Sequence, residues 1–145
     1  MIYPRRYLAS LAVLAMICLP ATAADVVPGP VEAKVLRVID GDTFVAEALV
    51  WPGHNVTVAV RIRGIDAPEM RSRCAAEKKA ARQARAALSR LIGDGPVSIS
   101  AIRGGKYYGR VLADVTDARG RQVAAKMLHL GLARAYDGGR REAFC

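Results

Sequence analysis

Apolar residues alternate along much of this chain, broken by one long stretch of helical spacing. Val31, Ala33 and Val35 share one parity, and Leu36 and Val38 continue on the other. One extra residue in a strand has that effect, so a bulge is expected near Val35 and Leu36. Asp40-Gly41 reads as a hairpin turn leading to a second strand over 43–50, followed by a loop at Trp51-Pro52-Gly53-His54-Asn55. Over 56–63, Val56, Val58, Val60 and Ile62 face one side and Thr57, Ala59, Arg61 and Arg63 the other. Arg61 therefore points away from the apolar face.

Asp66-Ala67-Pro68-Glu69 has the form of a helix start, with Asp66 as cap, Pro68 in the first turn and Glu69 in the capping-box position. The spacing predicts a helix over 66–92 that stops at Gly93, with Ala80, Ala84, Leu88, Leu91 and Ile92 as its buried stripe. Short strands follow at 97–102 and 110–116. Val123, Met127, Leu128 and Leu130 then suggest a second helix capped by Gly131. Three strands, a helix, two strands and a helix suit a five-stranded Greek-key barrel of OB type with two flanking helices, an α+β class that is mainly β.

The N-terminus changes the picture of where the domain begins. Arg5 and Arg6 precede an apolar run from Leu8 to Leu19, and Ala21-Thr22-Ala23 has the small-x-small form of a cleavage site. Residues 1–23 read as a removed export signal, with a cut after Ala24 as the other candidate, and 24–145 as one domain. The run is shorter than the roughly 20 residues of a spanning helix, so an uncleaved anchor is the weaker reading and no membrane association is expected after removal. The signal carries two arginines and no acid, so a net charge of +9 becomes +7. That surplus favours polyanionic partners, nucleic acid first among them.

Cys74 and Cys145 remain after processing, and in an oxidising compartment one bridge between them is the expected state, with two free thiols as the alternative. Neither has zinc-site spacing, and His54 and His129 stand alone, which argues against a zinc centre.

Three segments occur in the order and spacing of the staphylococcal nucleases: Val38-Ile39-Asp40-Gly41-Asp42-Thr43, Arg61 with Gly64-Ile65-Asp66-Ala67-Pro68-Glu69, and Tyr108-Gly109-Arg110. The chain resembles that family from these segments on through Gly120 to Tyr136, with Ala67 in place of a threonine. The resemblance implies a Ca²⁺-dependent nuclease acting on DNA and RNA and leaving 3′-phosphates. It implies Asp42, Asp66 and the carbonyl of Ala67 as metal ligands, Asp40 behind them, Glu69 as the residue that activates water, and Arg61 and Arg110 as phosphate clamps. Tyr107, Tyr108 and Tyr136 are the candidates for contacting nucleotide. The family's best-known members carry a further helix after the position of Tyr136; here a short tail leads to Cys145, and a bridge to Cys74 would fix that tail.

Elementary chemistry agrees with this assignment. Phosphodiester hydrolysis needs an activated water, a cation against the phosphate oxygens and donors that strengthen as charge builds. Hard oxygen ligands suit calcium, and planar, permanently charged arginine forks suit a phosphate. Two other readings remain open: a catalytically inactive nucleic-acid-binding barrel, and an envelope domain with a basic contact face. The second leaves the cluster of Asp42, Asp66 and Glu69 unexplained. A periplasmic or secreted monomer without a stable protein partner is expected.

Overall fold

The computed structural model describes residues 25–93 and 95–145, so the expected export signal lies outside the described residues. Its strands are β1 (Val26–Val27), β2 (Val31–Val38), β3 (Thr43–Trp51), β4 (His54–Ile62), β5 (Ile65–Asp66), β6 (Val97–Gly104), β7 (Arg110–Thr116) and β8 (Arg134–Ala135). Two helices, α1 (Ala75–Ile92) and α2 (Val123–His129), complete it.

Strands β2, β3 and β4 form an antiparallel meander. β4 then pairs parallel with β7, β7 antiparallel with β6, and β6 antiparallel with β2, which closes a five-stranded barrel. This is the expected OB-type barrel. The β2 register shifts between Val35 and Arg37, where the change of parity placed a bulge. Phe44, Val60, Ile62, Ile99 and Val115 fill the barrel, and Leu88, Ile92 and Met127 from the helices continue the same core.

Three expectations need correction. The expected loop at 51–55 is a two-residue turn: Trp51 pairs with His54, and Pro52 and Gly53 make the corner, with Gly53 at a φ of 77°. The outer end of this hairpin, with Leu49, Val50, Trp51 and Val56 exposed, runs past the barrel rim. The first helix starts at Ala75 and not at Asp66, because Ile65 and Asp66 pair with Ala135 and Arg134 as strand and Asp66's carboxylate is taken by arginines. Its buried face is Ala81, Ala84, Ala87, Leu88 and Ile92, which moves Ala80 and Leu91 to the margin.

The ends of both helices follow their sequence signals. α1 stops before Gly93. After α2, Gly131 takes a φ of 65°, and the amides of Gly131 and Leu132 bond back to Leu128 and Met127, the Schellman pattern. Among the described residues, no helix is long and apolar enough to cross a membrane.

The tail beyond β8 folds back over the barrel. Tyr136's amide donates to the Gly64 carbonyl. Arg134 donates to the Ala143 carbonyl at 3.0 Å and lies over the Phe144 ring at 4.2 Å. Cys145 is bonded to Cys74, with the two Cα atoms 6.5 Å apart.

Candidate active site

The tight turn between β2 and β3 builds one wall of the site. Amides of Ile39 and Asp40 bond to the Thr43 carbonyl, and the amide of Asp42 donates to Asp40 Oδ1. Gly41 sits hard against α1 and the 65–69 segment: a Cβ there would lie 2.6 Å from Ala84's Cβ and 2.7 Å from Ala67's. Only a glycine permits that approach. The helix thereby backs the turn and presses it against Ala67.

Asp42 and Asp66 are the carboxylates at the centre, 3% and 4% exposed. Asp42 accepts from Thr43 Oγ1 at 2.8 Å and from the Ala67 amide at 2.8 Å, so it ties the turn to the segment that carries Asp66. Arg61, on the outward parity of β4, bridges the two: Nη1 pairs with Asp42, and Nη2 reaches Asp66 Oδ1 at 3.1 Å and the Ile65 carbonyl at 3.2 Å. Burial alone would lower the pKa of Arg61, but Asp42 and Asp66 more than offset it, and the guanidinium stays charged.

An arginine that the sequence reading did not single out completes the cluster. Arg141, in the tail, meets Asp66 Oδ1 at 2.6 Å and Oδ2 at 2.9 Å, pairs with Glu69, and donates to the Ala67 carbonyl at 3.2 Å. Its pKa is also raised, since Asp66 and Glu69 outweigh a burial penalty in the other direction. The signal that could have found it is the proximity of Cys145, whose bridge to Cys74 brings nearby tail residues to the Glu69 corner.

Burial first, and then repulsion from Asp42, raise the pKa of Asp40 from 3.8 to about 6. A folded-state pKa raised for an acid means that the neutral form favours folding. The cost is absent below pH 3.8, grows towards pH 6 and is complete above it. Asp40→Asn keeps an oxygen for the Asp42 amide and removes the charge. With chelator present it is therefore expected to stabilise the protein by about 1 kcal/mol at pH 8, allowing for partial exposure, and by nothing at pH 3.5. Paired thermal melts at the two pH values check this; a gain that persists at pH 3.5 would refute the charge argument.

An open pocket of about 410 Å³ gathers Asp40, Asp42, Arg61, Ala67, Glu69, Tyr107, Arg110, Tyr136 and Arg141. Nearly all residues singled out in the sequence thus meet in one place. Arg110, at the start of β7, lies under the Tyr107 ring at 4.5 Å, and its buried Nε has no hydrogen-bond partner. Arg110 lines the pocket with no carboxylate of the described residues on its guanidinium, so its charge is open to an incoming anion. Tyr136 lines the pocket while its hydroxyl donates to the Gly139 carbonyl at 2.8 Å. Tyr108 stands apart: it is fully exposed and outside the pocket lining. A larger groove of about 770 Å³, lined in part by Arg63, Arg103 and Leu112, adjoins the pocket through Arg61 and Tyr136.

The donor set fits a hard divalent cation. Arg61 joins the two buried carboxylates and Arg141 joins Asp66 to the Ala67 carbonyl, so guanidinium groups supply the positive charge that these oxygens require. No group of three or more His, Cys, Asp or Glu side chains is arranged for a metal among the described residues. A cation here would rest on Asp42, Asp66 and the Ala67 carbonyl, with water completing its shell. Arg63, by contrast, is structural: it binds Asp114 at 3.0 Å and the carbonyls of Ala101 and Leu112.

The family model described as staphylococcal nuclease homologue matches residues 59–143, which include Arg61, Asp66, Glu69, Arg110 and Arg141. No curated protein matches the chain.

Proposed function

Because the chain belongs to the staphylococcal nuclease homologue family, we propose that it is an exported, Ca²⁺-dependent nuclease that hydrolyses phosphodiester bonds of DNA and RNA and leaves 3′-phosphates. The observation that carries this reading is the convergence of Asp42, Ala67, Glu69, Arg61 and Arg110 on one pocket, with Asp66 buried behind it and bonded to Arg61. An inert binding barrel has no use for two buried carboxylates bridged by Arg61. The basic surface supports nucleic acid as the substrate, and the bridge between Cys74 and Cys145 supports an oxidising destination.

In this reading the scissile phosphate lies between Arg61 and Arg110. Arg110 offers its guanidinium at the pocket wall, and both planar forks strengthen their bonds as charge accumulates on the phosphate oxygens. Glu69, half-exposed at the pocket rim, takes a proton from the attacking water. The cation, when bound by Asp42, Asp66 and the Ala67 carbonyl, neutralises phosphate oxygens and makes water more acidic. Asp40 stands behind Asp42 and fixes the turn. Tyr107 and Tyr136 are placed to meet the sugar or base; Tyr108 can reach only substrate that extends beyond the pocket.

Cleavage of single-stranded DNA, duplex DNA and RNA by the purified protein, with calcium and with excess chelator, tests the proposal. Glu69→Gln is expected to slow calcium-dependent cleavage by roughly 10²- to 10⁴-fold while nucleic-acid binding is retained. Binding without cleavage by the unaltered protein would identify it as a binding module instead.

A further inference from the structure

Arg141 has no role in the hydrolysis just described, yet it holds the oxygens on which that chemistry depends. Its guanidinium contacts both oxygens of Asp66, pairs with Glu69 and donates to the Ala67 carbonyl. Two of those groups are in the proposed cation ligand set, and the third is the proposed base. One guanidinium and one hydrated divalent cation cannot share them. We propose that the tail over 137–145 is a strap that seats Arg141 as an internal counter-cation, so that a divalent cation binds only by displacing it. The inference rests on the cation site proposed above and adds to it the competitor that sets its affinity.

Three features make the strap a competitor rather than a permanent part of the site. Its far end is fixed four residues on, where Cys145 joins Cys74, and Arg134 holds Ala143 and Phe144. Tethering keeps the local concentration of the guanidinium high. Its near end carries Gly138 and Gly139 at φ values of 112° and 89°, a conformation that side-chain-bearing residues rarely adopt. Those two glycines are the natural pivot. The Arg141 side chain itself is 40% exposed, so water weakens its ion pairs and a divalent charge can outcompete them.

Arg61 also pairs with Asp42 and Asp66, but its bond to the Ile65 carbonyl involves neither the strap nor a cation ligand and keeps it at the site in both states. Displacement of Arg141 frees Glu69 in the same event that exposes Asp66 and the Ala67 carbonyl. Cation entry and release of the base are therefore one step. The apparent calcium affinity is the intrinsic affinity multiplied by the fraction of molecules with the strap open.

Isothermal titration of calcium into the full, disulfide-intact protein tests this, with Asp42→Asn marking where calcium binds. Arg141→Ala is expected to bind calcium about tenfold more tightly than the unaltered protein. It should also melt lower in chelator, with the gap narrowing when calcium is saturating. Arg141→Lys, which retains the charge without the fork, should bind a few times more tightly, and it carries the test if the alanine variant does not fold. Equal or weaker affinity in both variants, with the signal still lost in Asp42→Asn, overturns the competition and leaves the cation site standing. No calcium binding by any of the proteins overturns both.

Discussion

Arg61→Ala is expected to slow hydrolysis severely and to weaken the fold, whereas Arg110→Ala slows hydrolysis as much and leaves the fold intact. The two arginines flank one pocket, but their partners differ. Arg61 is the bridge between Asp42 and Asp66, and its loss strands two buried carboxylates with only Arg141 nearby. Removing one partner of such a buried cluster costs about 3 kcal/mol. Arg110 has a buried nitrogen with no partner at all, so truncation leaves no group newly unpaired. Each loss should lower the cleavage rate by about 10²- to 10³-fold, as expected for a donor used in the transition state. Denaturant unfolding in chelator, beside calcium-dependent cleavage, separates them. Equal stability loss in both variants would show that the pairing of Arg61 is not what holds the carboxylates together.

The second large effect concerns the bridge. Cys74→Ser with Cys145→Ser opens a loop with a sequence separation of 71 residues. The chain-entropy estimate for such a loop is about 4 kcal/mol, and 2–4 kcal/mol is the expected loss once native strain is allowed for. For a domain of this size, that lowers the melting temperature by roughly 10–15 °C. Below the new melting temperature, Glu69, Arg61 and Arg110 retain their own supports, so cleavage at saturating calcium should survive. Loss of cleavage at an unchanged melting temperature would contradict this and would give the bridge a direct part in the chemistry.

The roles in the site came from the resemblance, while the strands and the outward face of Arg61 were legible because strand periodicity is a local property. The alternation in 56–63 put Arg61 outside the barrel, and the change of parity at Val35 and Leu36 marked the β2 bulge. The failures lie where distant groups override local preference. Asp66-Ala67-Pro68-Glu69 satisfies the pattern of a helix cap, but Asp66's carboxylate is engaged by Arg61 and by Arg141, 75 residues away, and its backbone pairs with Arg134. A cap competes poorly with two charged forks. Arg141 itself lies in a tail with no periodicity, so no pattern pointed to it. Tyr108 sits in the matching motif and yet faces solvent, because the turn before β7 directs Tyr107, not Tyr108, against Arg110.

The parallel pairing of β4 with β7 sets when, during synthesis, the pocket can be completed. Arg61 and Arg110 come together only when β7 slots in beside β4, and that pairing joins segments some fifty residues apart across the whole of α1 and β6. Such non-local contacts form late, after loop closure has been overcome. Asp42, Asp66 and Glu69 precede β7 in the chain, so they are translated before the strand that brings in Arg110. A growing chain lacks the complete pocket until β7 has emerged and paired, so the order of the segments makes assembly of the site a late step of folding.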